Sequence, residues 1–542
     1  MEISKIKESV RNWLKDPYNR IFLGIFILGV AIRLYYFFLT KDQAIWWDEG
    51  DYMAYAKALG GYTTYWMVSD AHNSLFIYFV AALFKIGFSD PAIKFILEIL
   101  PSILLIWLTY ATAVLMFKDK KVGLIASFLM ATFWVVLFNS MRFHLGVPGL
   151  FFGLLAIYVF WQGYEGGEKI FGKINPNWAV PLTVLFVVLS YSMRRGYFLF
   201  GFFFFFYMLI TRKWSSLLKD KYNWIALAVF IVSFSLLEKF VFASNITEVA
   251  GIYLHTEIPF NLFPFQIFPA YFSSFTSSTL SILLYLFWLG FILLLINTFL
   301  SLDYFRKVGK SEIKSELFAV LSIIIVLSYF LFYQRHPTDI GEPRWFFPLL
   351  FGSLICLAKG AIFIYDNLKK YNKQIALVII LVLLAYGAFY EVQHADTIIK
   401  SKISSFNGVK DASFYIKDRT SPSDKTLIVL TPQFSYYAER QMVSPAELVG
   451  VQYNQDTTFE EVLPKIEEDP AIRFLLISFW EPNHPDWMKR ESQQKWEIPF
   501  MDTTIDFNTG QQDIKQEKSY GSLTFKLSQI FDGVFVYEIL RN

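Results

Sequence analysis

The chain has 542 residues, of which 55% are hydrophobic and 19% aromatic, and its formal net charge is +3. A soluble domain cannot hide that much apolar side chain in one core, so the bilayer is the expected solvent. The small charge and the lack of a nucleic-acid motif exclude a nucleic-acid partner. The single cysteine, Cys356, excludes a disulfide framework and a thiolate metal site.

Apolar runs such as 21–39, 280–300 and 317–333 reach or approach the roughly 20 residues that a helix needs to cross the hydrocarbon. Lys and Arg clusters mark the cytoplasmic side of such a protein. They lie at 5–20, 118–121, 169–173, 212–221, 306–314 and 369–373. Placing all six inside predicts about eleven transmembrane helices, a cytoplasmic N-terminus at 1–20 with a retained first span, and a C-terminus outside.

The run 75–88 is apolar but short, and counting it as a span would move Lys118 to Lys121 to the wrong side. We therefore expect juxtamembrane helices over 48–88, within a first outer loop at about 40–94. The long outer segment 244–274 is rich in Phe, Pro and Ser. It is either a lid that closes over a site or a static cover, and the sequence leaves both open.

A change of composition after Glu391 predicts a second domain. Charges return, and strand-length apolar runs at 426–430 and 474–479 alternate with helical stretches at 409–417 and 458–466. The prediction is a membrane domain at 21–390 followed by an extracytoplasmic soluble α/β domain with some parallel sheet at 391–542.

Three carboxylates crowd the start of the first outer loop, in the sequence Trp47-Asp48-Glu49-Gly50-Asp51-Tyr52. Such a cluster beside a membrane is costly unless it faces water or binds a ligand. A carboxylate in such a cluster could serve as a general base. The alternative is a solvated acidic loop with a tryptophan belt.

Cations gather on the same predicted face, several of them at the ends of apolar spans. They are Lys94, Arg142, Arg194, Arg195, Arg335 and Arg344. The planar fork of arginine suits a lipid phosphate, although each cation alone is also compatible with a side chain that snorkels to the interface. His144 either hydrogen-bonds a substrate or caps a short loop.

No motif in the sequence indicates a metal site or a nucleotide-binding site. His336, Asp339 and Glu342 have only loose metal-ligand spacing, as do His484 and Asp486, and we interpret them as ordinary loop residues. The chain contains no Walker loop, GxGxxG, GxSxG or kinase motif. No metal or other cofactor is therefore expected.

The acidic string at Trp47 to Ala56 resembles the first outer loop of GT-C glycosyltransferases, in the branch that holds protein O-mannosyltransferases and the lipid A aminoarabinose transferase. Further similarities follow in the family's order. They are His72-Asn73-Ser74-Leu75, Ala92-Ile93-Lys94-Phe95, Ser140-Met141-Arg142 with Gly149 to Leu155, and Glu342-Pro343-Arg344-Trp345-Phe346-Phe347-Pro348. The resemblance spans about 20–360. Asn73-Ser74 replaces the usual double proline, and His144 with Pro148 stands where relatives often carry another acid.

The resemblance implies transfer of a sugar from a polyprenyl (dolichyl or undecaprenyl) phosphate to an acceptor hydroxyl on the outer face, with inversion. Asp48 would be the base, assisted by Glu49 or Asp51. The residues expected to bind the donor phosphate are Lys94, Arg344, Arg194 and Arg195. Those expected to bind the acceptor or sugar are Arg142, His144, His72, Trp47 and Tyr52. Fixed cations then take the place of a metal.

The expected partners are the lipid-linked donor, a protein, lipid or glycan acceptor, and the bilayer. An archaeal or bacterial plasma membrane is favoured over the endoplasmic reticulum. Two alternatives belong to other classes. A transporter or flippase would carry acids or broken helices at mid-membrane, and a scaffold for the C-terminal domain would leave the cations without a role.

Overall fold

The computed structural model describes residues 11–62, 74–242, 281–308, 311–332, 343–429, 431–451, 456–481 and 484–542, together with Glu8, Phe268 and Phe272. Most of the described chain before residue 402 is helical. The α-helices there are α1 Pro17–Thr40, α2 Trp47–Leu59, α3 Leu75–Lys85, α4 Asp90–Lys94, α5 Leu100–Phe117, α6 Lys120–Thr132, α7 Trp134–Ser140, α8 Gly146–Val159, α9 Ala179–Met193, α10 Leu199–Thr211, α11 Trp214–Lys219, α12 Lys221–Leu237, α13 Ile282–Val308, α14 Ser311–Phe332, α15 Phe347–Leu368 and α16 Lys373–Lys402.

The predicted multi-pass architecture is confirmed. Nine helices in the described part of the chain are long and apolar enough to cross a membrane, or ten if α6 and α7, which bend by 49° at Phe133, form one span. An eleventh span was expected between the loops at 192–197 and 212–221, and a shorter apolar helix, Arg195–Thr211, lies there. Helix α3 has 11 residues, too few to cross the hydrocarbon.

A buried arginine ties three of the membrane helices together. Arg33 of α1 is fully buried, and its Nε donates to Ser102 Oγ at 2.7 Å. Its two terminal nitrogens donate to the carbonyl oxygens of Gly29, Ala131 and Met130 at 3.0–3.2 Å. A charge inside a membrane protein is costly unless such groups surround it. Arg33 is therefore structural, and it links α1 to α5 and α6.

Residues after 402 form the predicted sheet-containing domain. Its elements are α17 Asn407–Lys417, β1 Lys425–Leu427, α18 Pro432–Ala438, β2 Gln441–Val443, α19 Pro445–Val449, α20 Phe459–Glu468, β3 Ile472–Ser478, β4 Arg490–Glu491, β5 Lys495–Ile498, β6 Thr503–Asp506, β7 Gln512–Asp513, β8 Glu517–Tyr520, β9 Leu523–Phe531 and β10 Val534–Arg541. One sheet has the order β2-β1-β3-β10-β9-β8, and the other has the order β4-β5-β6-β7. Strands β2, β1 and β3 are parallel, as the alternation of strands and helices predicted, and the other pairs are antiparallel.

The described residues divide into two compact units. The first contains residues up to 41, 74–76 and 94–400. The second contains 42–62, 77–93 and 401–542, so residues 42–62 and 77–93 pack with the C-terminal residues. Helix α16 continues past Glu391 to Lys402, and the C-terminal part of the second unit begins at the end of that helix.

Candidate active site

The acidic string forms the first turn of α2, in the second unit. Asp48 and Glu49 lie in that turn, where the helix dipole favours negative charge. Glu49 is only 4% exposed, whereas Asp48 and Asp51 are half-buried. Because residues three apart share a helix face, Asp48 and Asp51 lie together on one face of α2. The geometry therefore favours Asp51 over the buried Glu49 as the partner of Asp48.

Helix α18 supports this acidic turn. A Cβ added to Gly50 would lie 3.0 Å from the backbone nitrogen of Gln433 and 3.1 Å from Pro432 Cβ, so only glycine lets the two backbones come so close. Next to the turn, the Ile45 amide donates to the Tyr437 hydroxyl at 2.9 Å. The position of the acidic turn thus depends on residues nearly 400 positions away in the chain.

The far end of α2 is held by an ion pair that is mostly shielded from solvent. Lys57 Nζ lies 2.5 Å from Glu439 Oε1, and Lys417 Nζ lies 2.9 Å from Glu439 Oε2. Burial raises the pKa of Glu439, but the two lysines outweigh burial and hold that pKa below its usual value. Glu439 therefore remains ionised, and its ion pair with Lys57 stabilises the position of α2.

Three arginines lie near enough to a buried histidine in the first unit for their charges to act on it. His144 is 1% exposed. Burial lowers the pKa of its ring well below the usual range, and the nearby charges of Arg344, Arg194 and Arg142 lower it further. We name these four residues the cation cluster. Sequence reasoning assigned Arg142 and His144 to the acceptor or sugar and the other two to the phosphate, but the structure brings all four together.

Two glycines allow the cluster to form. The short segments that carry it are the turn 141–145, the 3-10 helix Arg195–Phe198 just after Arg194, and the 3-10 helix Pro343–Phe346. A Cβ on Gly146 would lie 2.9 Å from the Phe347 ring, and one on Gly149 would lie 2.4 Å from the Tyr197 ring. Because both glycines lack that atom, the segments that carry Phe347 and Tyr197 can pack closely against the start of α8.

The hydrogen bonds of His144 define its tautomer. Its Nδ1 accepts the Gly146 amide at 3.3 Å, so the proton of the neutral ring is assigned to Nε2. Nε2 is buried and has no hydrogen-bond partner among the described residues. The backbone amide of His144 donates to Glu98 Oε1 at 2.8 Å, and Glu98 is fully buried. Sequence reasoning missed Glu98, because it reads as one charge inside an apolar span.

Two other predicted phosphate ligands have different surroundings. Lys94, which is 5% exposed, donates to the carbonyl oxygen of Thr40 at 3.3 Å and to its hydroxyl at 3.4 Å. The Arg195 guanidinium lies over the Phe242 ring at 4.3 Å. Arg195 is therefore placed beside the end of the α12 span.

Some predicted site residues lie outside the described residues. These are His72, Arg335, His336, Asp339, Glu342, the side chain of Trp47 and most of 244–274. Tyr52 is described and is buried in α2. His484 and Asp486 have separate partners, since His484 Nδ1 bonds the Glu481 carbonyl oxygen at 3.2 Å and Asp486 lies 3.7 Å from Arg490.

An apolar cavity of about 590 Å³ lies among helices α9, α10, α11 and α12. Its lining runs from Tyr191 and Phe198, which flank Arg194 and Arg195 in the chain, to Trp214 and Trp224 at the other end of the same helices. The lining residues Phe202, Phe205 and Phe230 remain 41–52% exposed, so the cavity is open at the protein surface.

The sequence matches no protein-family model and no curated protein. Solved structures do share its fold. Oligosaccharyltransferase AglB of Archaeoglobus fulgidus, solved with an inhibitory peptide and a dolichol-phosphate, has a TM-score of 0.55 and 13% identity over 86% of this chain and 70% of AglB. ArnT of Cupriavidus metallidurans, bound to undecaprenyl phosphate, has a TM-score of 0.54 and 12% identity over 94% of this chain and 97% of ArnT.

The apo form of the same ArnT has a TM-score of 0.55 and 12% identity over 95% of this chain and 98% of ArnT. The likeness therefore extends over nearly the whole of both chains, including the sheet-containing C-terminal residues. Both neighbours are GT-C membrane glycosyltransferases. Identities this low carry the fold alone, and the fold of this chain is the GT-C fold, as its resemblance implied.

Proposed function

We propose that the chain is a glycosyltransferase that moves a sugar from a polyprenyl phosphate to an acceptor hydroxyl on the outer face of a membrane, with inversion. The observation that carries this proposal is the cation cluster, which converges at the ends of membrane helices in a GT-C fold. Solved neighbours with this fold hold dolichol-phosphate or undecaprenyl phosphate. The proposed topology has the N-terminus inside and residues 401–542 outside.

The cation cluster binds the donor phosphate in this proposal. Three guanidinium groups neutralise the phosphate, and their planar forks can each form paired hydrogen bonds to its oxygens. His144 adds a neutral N–H donor at Nε2, which costs less to bury among three cations than a fourth charge would. Lys94 and Arg195 add further positive charge from their own positions.

The apolar cavity accommodates part of the isoprenoid chain. Its lining is made of aromatic and aliphatic side chains, and it is open at the protein surface, so a lipid could enter from the bilayer. One end lies beside Tyr191 and Phe198, which flank Arg194 and Arg195 in the chain. A lipid whose phosphate binds Arg194 would therefore have its tail beside the cavity.

The chemistry follows from these roles. Asp48 accepts the proton of the acceptor hydroxyl, whose oxygen attacks the anomeric carbon of the sugar. The bond from that carbon to the phosphate oxygen breaks, and the polyprenyl phosphate leaves with the electron pair. Because the arginines stabilise the charge that develops on the leaving group, the phosphate needs no proton. Asp51, on the same face of α2, orients the acceptor.

A turnover assay on detergent-purified protein tests the proposed function. The protein is incubated with a panel of polyprenyl-phosphate sugars and an extract of native membranes as the acceptor, and released polyprenyl phosphate is measured. We expect extract-dependent release from at least one donor. Absence of both binding and release across the panel would contradict the function, and a lipid-transport assay in vesicles would then test the flippase alternative.

A substitution at Gly201, which lines the cavity, tests whether the isoprenoid chain binds there. A Cβ at Gly201 meets only Val187 Cγ1, at the ordinary distance of 3.5 Å, so Gly201→Leu is sterically tolerated and fills the cavity. Burying a leucine-sized group contributes about 1.5–3 kcal/mol. Gly201→Leu should therefore weaken binding of long-chain polyprenyl phosphates by about tenfold or more, and hardly affect a carrier of two isoprene units.

The matched control is Gly24→Leu, since a Cβ at Gly24 meets no atom within 4 Å and this glycine lies on α1, away from the cavity. The control should bind both carriers like the native protein. If Gly201→Leu weakened the short and long carriers equally, or neither of them, the cavity would not be the binding site of the isoprenoid chain.

A further inference from the structure

Two buried polar side chains on α18 lack protein partners. Gln433 is fully buried, and neither atom of its side-chain amide has a hydrogen-bond partner among the described residues. Ser435 is 1% exposed, and its hydroxyl is in the same situation within the described part of the chain. Buried amides are almost always hydrogen-bonded in native proteins, since leaving one unsatisfied is costly. These two groups therefore call for a physical explanation.

The backbone of Gln433 lies next to the acidic turn. The backbone nitrogen of Gln433 lies 3.0 Å from where a Cβ of Gly50 would be, and Gly50 stands between Glu49 and Asp51 in the acidic turn. An amide offers a hydrogen-bond donor and an acceptor side by side. That combination matches a hydroxyl or amide group, which also donates and accepts.

Helix α18 is also held rigidly enough to position a ligand. The Tyr437 hydroxyl accepts a hydrogen bond from the Ile45 amide, just before α2, and the Tyr436 carbonyl oxygen accepts one from Lys57 Nζ of α2 at 3.1 Å. These contacts lie on both sides of the acidic turn and join α18 to α2 and to the residue before it. A binding group is most useful on an element whose own position is fixed in this way.

We propose that Gln433 is an acceptor-binding residue, whose side-chain amide holds a hydroxyl or amide group of the acceptor beside the acidic turn. This inference rests on the proposed function, because it takes Asp48 as the base that the acceptor hydroxyl approaches. It assigns a role to the C-terminal residues: they supply part of the acceptor site and also support α2. Ser435, two residues further along α18, contributes a second hydrogen bond.

The test is the substitution Gln433→Leu in the full chain, assayed with a cognate donor from the panel and a titrated extract of native membranes as the acceptor. Leucine has a similar volume and removes the buried amide, so the protein should fold with an unchanged or higher melting temperature. We expect the extract concentration for half-maximal transfer to rise roughly tenfold. Donor affinity and the slow hydrolysis of donor without acceptor should not change.

Gln494→Leu is the matched control, since Gln494 is exposed in the loop before β5 of the same unit. It should transfer sugar like the native chain. Unchanged half-saturation in Gln433→Leu, or a loss of donor affinity equal to the loss of acceptor affinity, would overturn the inference while native transfer upheld the function. Absence of transfer by the native chain would instead reject the proposed function, and with it this inference.

Discussion

Replacing Asp48 with asparagine is expected to abolish nearly all sugar transfer while leaving donor binding intact. A positioned base contributes about 10²- to 10⁴-fold to the rate, and asparagine cannot accept the proton of the acceptor hydroxyl. The substitution is nearly isosteric, and Asp48 is half-buried in the first turn of α2, so the fold should tolerate it. Single-turnover release of polyprenyl phosphate, measured beside equilibrium binding of the donor, checks both parts.

Asp42→Asn is the control for the general effect of removing one negative charge near the acidic turn. Asp42 is exposed and precedes the acidic turn, so its replacement removes one carboxylate from the same loop without touching the proposed base. It should transfer sugar at close to the native rate. Native turnover by Asp48→Asn would remove Asp48 from the mechanism, and a similar loss in both variants would point to a general effect of loop charge.

Replacing Arg344 with glutamine should selectively weaken binding of the lipid phosphate. Arg344 is 9% exposed, and its charge lowers the pKa of the His144 ring more than the charges of Arg194 and Arg142 do. Charge-assisted hydrogen bonds contribute about 1.5–3 kcal/mol each, so we expect the dissociation constant for polyprenyl phosphate to rise about 10- to 100-fold. Binding of the corresponding polyprenol, which has no phosphate, should not change.

The comparison of phosphate with polyprenol separates recognition from folding, because a misfolded variant would lose affinity for both lipids. Arg20→Gln is the matched arginine control, since Arg20 is exposed near the start of α1. It should bind both lipids normally. An Arg344→Gln variant that still preferred phosphate as strongly as the native chain would exclude Arg344 from the phosphate site.

Much of the architecture could be predicted because the bilayer imposes simple rules. A helix that crosses hydrocarbon needs a long apolar run, and cytoplasmic loops retain lysine and arginine. Runs such as 21–39 therefore identified spans, and the short run 75–88 was recognised as something else. The helices 409–417 and 458–466 were predicted to within a few residues, since their strong amphipathic periodicity is local information.

The residues of the candidate site could also be identified from the sequence, but which of them lie close together could not. Charges that interrupt apolar segments stand out, so Asp48, Arg142, Arg194 and Arg344 could all be singled out. Which of them meet depends on helix packing, and here that packing is set by glycines against aromatic rings, as at Gly149 and Tyr197.

The sequence by itself determined that this protein is a multi-pass membrane protein with an acidic first loop, a set of arginines at span ends and a sheet-containing C-terminal domain. Each of these properties is carried by residues that are close together in the chain. Only the tertiary structure decided that His144 is a buried, neutral donor among three arginines, and that Gln433 lies against the acidic turn. Such contacts join residues up to hundreds of positions apart, and they depend on how complete helices pack rather than on any local pattern.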